Sequence, residues 1–386
     1  MMKCQREKFN LQRKVAYFNC AYMSPLLRKV EKAGIAGIKQ KRKPFHISSV
    51  DFFKDTETLR HLFAQLINVK DPKRCVIIPS VSYGMANVFN NIKPERGTNI
   101  ILIGEQFPSN VYPWQRLEEA GVELKFVEAP DTFVQRGSKW NEELLNAIDA
   151  QTRMVAASNV HWADGTRFDL EAIRQKTREV GALLVIDGTQ SVGAMPFDAA
   201  TIQPDALIVA GYKWLMGPYS IGMAYYGEAF DNGRPVEENW INRKESEDFS
   251  GLVNYQDHYQ TGVLRYEVGE HSNFILVPML IAALKQILQW GPANIQQYCG
   301  ELVNPCLEKV QALGGIIEGA AWRGNHLIGL RFQELEATKA QQVFQQNRVS
   351  VSVRGTAIRI APHVYNDAKD MGKLLRSIEQ ITESQA

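Results

Sequence analysis

The sequence predicts an α/β protein, with a large domain built on a mostly parallel seven-stranded sheet covered by helices and a smaller C-terminal α+β domain. Seven short, mostly apolar runs, at 76–78, 100–103, 124–127, 154–157, 183–186, 206–210 and 222–226, read as strands of a sheet covered on both sides. Helical periodicity fills several of the gaps between them, which is the rhythm of crossover connections in a parallel sheet. At 386 residues the chain is also too long for one simple core, so a second, smaller domain is expected.

Residues 15–25 read as an extended entry segment, after which Pro25 starts an amphipathic helix with Leu26, Leu27, Val30 and Ala33 or Ile35 on one side. A second helix, at 56–68, places Leu59, Leu62, Phe63 and Leu66 at helical spacing. Within the α/β repeat, Asp169 is an N-cap, Leu170, Ile173, Thr177 and Val180 share a face, and Gly181 closes the helix. Residues 228–264 are polar and aperiodic, a long excursion that suits a lid or a dimer-contact loop. Helices are expected at 278–290 and 295–313, followed by a strand at 327–332, a helix at 337–346, strands at 349–353 and 357–360, and a helix at 367–381. The resulting division is 1–45 as an extended segment and helix packing on the small domain, 46–270 as the large domain and 271–386 as the small one.

Forty-four basic against 42 acidic residues leave a net charge of +2, which gives no footprint for nucleic acid or a membrane surface. The basic run at 39–43 marks a solvated helix end. No apolar run is long enough to span a bilayer, and the charged N-terminal residues have no signal-peptide core behind them. Five scattered cysteines without a CxxC pair argue for a reducing compartment, no disulfide frame and no metal site, so a cytoplasmic protein is expected.

In open α/β sheets ligands sit at the carboxyl ends of the strands, so the residues that follow each strand carry the chemistry. Asp205-Ala-Leu-Ile-Val-Ala-Gly-Tyr-Lys213-Trp delivers a lysine between two aromatics directly after a core strand. Burial there lowers a lysine's pKa toward the neutral amine that carbonyl chemistry needs, although a snorkelling lysine at a strand end fits the same pattern. Asp187 follows the preceding strand, one crossover earlier, so both groups reach the same edge of the sheet. Either they form an interior salt bridge, or they face one crevice as a pyridoxal phosphate site requires, the acid on the pyridine nitrogen and the lysine as Schiff base.

Several well-spaced motifs resemble the class V branch of the fold-type I pyridoxal-phosphate enzymes, from Tyr17-Phe-Asn-Cys-Ala to His363-Val-Tyr-Asn366. Asp187-Gly-Thr-Gln190 is similar to the family's Asp-x-x-Gln, which implies that Asp187 pairs with the pyridine nitrogen and Gln190 bonds the ring hydroxyl. Gly211-Tyr-Lys213-Trp resembles the Schiff-base segment, with Tyr212 where relatives keep a phosphate-binding histidine. Pro79-Ser80-Val-Ser82-Tyr83-Gly84 opens a helix, and the resemblance places the cofactor phosphate there, on Ser82 and Tyr83. It also implies a homodimer in which Ser272 or Asn273 reaches the partner's phosphate. Phe107 stands in place of the histidine that stacks on the ring in many relatives, Trp162 walls the pocket, and His161 either touches the ring hydroxyl or is only structural. Arg359 matches the arginine that grips the substrate α-carboxylate, with Arg354 a weaker candidate, while Tyr22, Trp162, Trp240 and the excursion shape the side-chain pocket or merely pack.

A cysteine desulfurase needs a nucleophilic cysteine on a loop just before that arginine, and residues 347–358 contain none, which disfavours that activity. The expected protein is therefore an aminotransferase of the class V type acting on a small amino acid or amine. The same apparatus would serve a lyase cutting a Cβ–S bond, an isopenicillin-epimerase-like enzyme or a kynureninase-like one. A degenerate cofactor-binding sensor or scaffold is the non-enzymatic alternative.

Overall fold

The computed structural model describes residues 2–354 and 356–383; Gly355, within the 347–358 stretch, and the outermost residues of the 1–45 and 271–386 segments lie outside them. The strands are β1 (Ala16–Tyr17), β2 (Cys75–Ile78), β3 (Asn99–Ile103), β4 (Glu123–Val127), β5 (Thr152–Ser158), β6 (Leu183–Asp187), β7 (Ala206–Ala210) and β8 (Gly222–Tyr226). Five shorter ones follow: β9 (Ile316–Ile317), β10 (Ile328–Arg331), β11 (Val349–Ser350), β12 (Ser352–Arg354) and β13 (Ala357–Ile360).

The large sheet has seven strands in the order β2-β8-β7-β6-β5-β3-β4, and only β8 runs against its neighbours. Residue alternation distributes its side chains into two cores. Cys75, Ile77, Ile101 and Ile103 join one apolar cluster, and Val76, Ile78, Ile100 and Leu102 join the other. That two-sided burial is why these strands read as unbroken apolar runs. The crossover helix Leu170–Val180 is capped at Asp169, whose side chain accepts from Ala172 N, and ends at Gly181 with φ of 71°.

A separate cluster holds the four-stranded antiparallel sheet β12-β13-β10-β9 together with Ala16, Phe18, the second half of the helix Pro292–Ala312 and the helix Ala368–Glu383. The helix Leu276–Trp290, which opens the 271–386 segment, instead buries Val277, Leu280, Leu284 and Ile287 in the large-sheet core. The helix Arg28–Gln40 packs along it, so closely that a Cβ on Gly37 would lie 2.1 Å from the Phe274 carbonyl oxygen.

Two elements differ from the sequence expectation. Pro25 does not start the N-terminal helix: Leu27 is extended and bridges to Phe9, so the helix begins at Arg28 and buries Val30, Gly34 and Gly37, with Ile35 exposed. The single strand expected at 349–353 is two, because β11 pairs with β1 and β12 with β13, and the chain changes sheets between them.

Candidate active site

The carboxyl ends of β2, β3, β5, β6 and β7 meet at a cavity of about 290 Å³, lined by Ser80, Ser82, Phe107, Ser109, Trp162, Asp187, Thr189, Gln190, Tyr212, Lys213 and Tyr219 among others. Lys213 lies three residues past β7 and Asp187 ends β6, and these two strands pair in register at Asp187 and Ile208. Both side chains are buried. Burial lowers the Lys213 pKa from 10.5 to about 8, against the pull of Asp187 and with the help of Arg359 and Arg354. The same desolvation raises the Asp187 carboxyl, which is partly offset by hydrogen bonds from Thr189, whose backbone N–H donates to Oδ1 at 2.9 Å. No salt bridge joins the two among the described residues, so the interior ion pair is not formed; they share the cavity instead.

At the other end stands the start of the helix Val81–Phe89. Ser80 caps it by accepting from Tyr83 N at 3.2 Å, and Ser82 Oγ meets Ser109 Oγ at 3.1 Å. First-turn amides and three hydroxyls thus face one corner of the cavity, a donor set suited to a phosphate. Between the two ends lie aromatic walls. Phe107 and Trp162 meet edge to face at 5.6 Å, and Tyr212 tilts against Tyr219 at 4.6 Å.

Behind Trp162 stands Arg359, fully buried on β13 with Nη1 donating to the Trp162 carbonyl at 2.5 Å. Its Nε is buried without a partner, and no acid pairs with it among the described residues. Burial, then the neighbouring Arg354, lowers its pKa to about 10.

Several expected contacts fall elsewhere. Gln190 lines the cavity, but its amide is held by Trp214 Nε1 at 2.9 Å and by the Ala21 carbonyl at 3.1 Å, so one N–H at most remains for a ring hydroxyl. His161 is not in the lining. Its Nδ1 lies 3.3 Å from Asp164, itself paired with Arg331 from β10, and its Nε2 lies 3.2 Å from the Glu105 carbonyl, so it braces the loop that carries Trp162. Tyr83 points away from the cavity toward Glu237, since one step along a helix turns a side chain by about 100°. Tyr22 is exposed outside the lining, and Trp240 belongs to an aromatic cluster with Phe52 and Phe249. Ser272 and Asn273, expected at a partner's phosphate, stand outside this chain's cavity lining, and Asn273 caps its own helix by accepting from Leu276 N at 2.9 Å.

Residues 228–264 contribute nothing to the lining. They are fastened instead to the helix Val81–Phe89 and its end: Asn87 Oδ1 accepts from Val236 N, Asn90 donates to the Pro235 carbonyl, and Asn91 bonds both ways with Arg234. Sequence reasoning missed Thr189, Ser109, Tyr219 and Ser220 as cavity residues. Thr189 lies within the acid-to-glutamine motif and is legible there; Tyr219 and Ser220 follow the Gly217-Pro218 turn, whose direction no local pattern gives.

A buried lysine opposite a buried carboxylate, an aromatic wall and a hydroxyl-rich helix N-terminus fit pyridoxal phosphate, and fold and site together define a fold-type I enzyme of that cofactor. The chain matches the family described as Aminotransferase class-V over residues 39–377, and it belongs to that family. It is similar to the uncharacterized aminotransferase YcbU of Bacillus subtilis, 26% identical over 82% of this chain and 81% of the relative. The fold is that of the apo cysteine desulfurase from Thermococcus onnurineus NA1, at a TM-score of 0.84 and 21% identity over 100% of this chain and 99% of the other. It is equally that of a C-DES mutant with glycine covalently linked to its cofactor, at a TM-score of 0.86 and 20% identity over 98% and 99%. Among the described residues no helix is long and apolar enough to cross a membrane.

Proposed function

We propose that the protein catalyses chemistry at the α-carbon of an amino acid, with transamination the principal reaction. Pyridoxal phosphate, when bound, supplies a carbonyl for imine exchange and an electron sink for the α-carbon. Asp187 would hold the pyridine nitrogen, the serines and helix amides the phosphate, and Phe107 the ring face. Lys213 would be the general base and acid, its amine already lowered to about 8 by burial and placed to take a proton from Cα and to return it to the cofactor carbon that carried the carbonyl. Arg359 orients the α-carboxylate through its unpartnered face.

The observation that carries this reading is the shared burial of Lys213 and Asp187 in one cavity without an ion pair between them. A second reading, β-elimination, has the support of one structural relative, C-DES, which is described as a cystine C–S lyase. It would use the same lysine. Persulfide transfer to a protein cysteine is disfavoured, since Cys20, Cys75, Cys299 and Cys306 are buried and β12 and β13 are joined without a cysteine. We further propose a homodimer in which residues 269–273 approach the partner's phosphate corner, and a cytoplasmic location. The test is a panel of amino acids given to the cofactor-loaded protein, read for keto acid, sulfide and inverted enantiomer. Keto acid stoichiometric with substrate amine lost supports transamination; sulfide or ammonia with pyruvate replaces it by elimination, and no product from any member overturns the enzymatic reading.

A further inference from the structure

The positive charge behind Trp162 exceeds what one carboxylate needs. Arg359 donates to the Trp162 carbonyl at 2.5 Å, and the Arg354 guanidinium lies 5.9 Å from the centre of the Trp162 ring. Both are close enough to act on Lys213, and they act on each other. Among the described residues neither arginine has an acidic partner, and the only side-chain or backbone acceptor of Arg354 is the carbonyl of its neighbour Val353, at 3.0 Å. Nearby acidic groups do not compensate: burial holds the Tyr17 hydroxyl and the Cys20 thiol protonated, the latter at about 12. Asp164, the nearest buried carboxylate on that loop, is taken by Arg331 and His161.

Three cations, Lys213, Arg359 and Arg354, therefore act on one another around a single carboxylate, Asp187; only Lys213 lines the cavity itself, Arg359 stands behind Trp162, and Arg354 lines the neighbouring pocket beside β11 and β12. Uncompensated cations at a half-buried site cost free energy unless a ligand brings anions. With Asp187 held for the cofactor ring and the phosphate at the opposite corner, an α-carboxylate neutralises one arginine and leaves the other.

Resting on the function proposed above, we propose that the substrate is an amino acid bearing a second anionic group, a carboxylate, with Arg359 on the α-carboxylate and Arg354, 5.9 Å from the centre of the Trp162 ring, on the distal one. Arg354 is then a specificity-determining residue. Its planar fork, held over the indole, reads a carboxylate in two bonds, which a lysine cannot do.

The test uses ligands without an amine, so that binding is separated from chemistry: glutarate and butyrate, titrated calorimetrically into the cofactor-loaded protein at fixed ionic strength. The expected result is that glutarate binds at least tenfold tighter than butyrate. Arg354→Gln should bring glutarate to within about twofold of butyrate while leaving butyrate unchanged, and Arg354→Lys, which keeps the charge, should retain part of the preference. Equal affinity in the unsubstituted protein, no binding of either ligand, or a Gln variant that weakens both alike would overturn the proposal, the last because both arginines would then clamp one carboxylate. Failure of the cofactor reading shows differently, as no borohydride-trapped lysine, and the same titration of the apoprotein still reports the dicarboxylate preference.

Discussion

Lys213 Nζ stands 5.3 Å from the centre of the Phe107 ring and 5.7 Å from that of Tyr212. The amine therefore leaves the end of β7 into a slot walled by aromatic faces rather than into water. A cation there gains some attraction from the ring quadrupoles, but loses more hydration, and the net effect is a pKa near 8. A flat heteroaromatic ring entering the slot would meet the amine at its edge and the Phe107 face on its side.

That pKa makes a stability prediction for the apoprotein. Between pH 8 and 10.5 the unfolded chain binds a proton at Lys213 that the folded chain does not, so stability rises with pH across this window. Below it the full cost of burying the charge is present, on the order of 3 kcal/mol for a pKa lowered from 10.5 to about 8. Lys213→Met should therefore stabilise the apoprotein at pH 7, and the difference between variant and parent should shrink toward pH 10.5. Urea midpoints of the pair at several pH values measure this.

Asp187→Asn keeps the size and the Thr189 contacts but removes the charge that would keep a pyridine nitrogen protonated. We expect the variant to fold, to be at least as stable at neutral pH because the buried carboxyl is already costly, and to lose at least a hundredfold in kcat. Kinetics with a responding amino acid, alongside thermal melts, decide it; kcat within tenfold of the parent would remove Asp187 from its role.

Arg359→Gln should lower kcat/KM for α-amino acids by about 10- to 150-fold, the loss of one charge-assisted contact of roughly 1.5–3 kcal/mol. Arg359→Lys should recover only part, lacking the bidentate fork.

The thiols make a negative prediction. Burial raises Cys20 to about 12 and Cys306 to about 11, and holds Cys75 and Cys299 higher still; Cys4 is partly exposed. Iodoacetamide under native conditions should modify Cys4 alone and leave turnover intact, and mass spectrometry after incubation with cysteine should find no protein persulfide.

Asn87 is fully buried and ties the excursion to the phosphate-side helix, donating to the Tyr266 carbonyl at 3.1 Å and accepting from Val236 N at 3.0 Å. Asn87→Ala leaves both backbone groups unpaired and should cost about 2–4 kcal/mol, measured as a fall in the urea midpoint.

What the sequence made legible follows physical range. Six of the seven strands were readable because they are buried on both faces, while the edge strand β4, which exposes Glu123 and Phe126, was readable from its apolar residues alone; Asp187 and Lys213 were readable because a strand end fixes where the next residues emerge. Arg359 was readable only through its motif, since Ile358, Arg359 and Ile360 are all buried and no alternation marks it. His161 takes the structural one of its two expected roles and Tyr83 faces away from the cavity, for different reasons. The first answers to Asp164 and Arg331, a partner supplied by a distant strand, and the second to the phase of a helix. The excursion, read as a lid or a dimer-contact loop because it has no periodicity, is held at 234–236 by asparagines on another element, which no local pattern shows.

The central claim, that Lys213 is the covalent anchor of the cofactor, is tested most directly by reducing the pyridoxal-phosphate-loaded protein with borohydride and mapping the labelled peptide. The account predicts a single phosphopyridoxyl group on Lys213 and none in Lys213→Ala. Label on another lysine, or on none in a protein that nevertheless turns over amino acids, would contradict it.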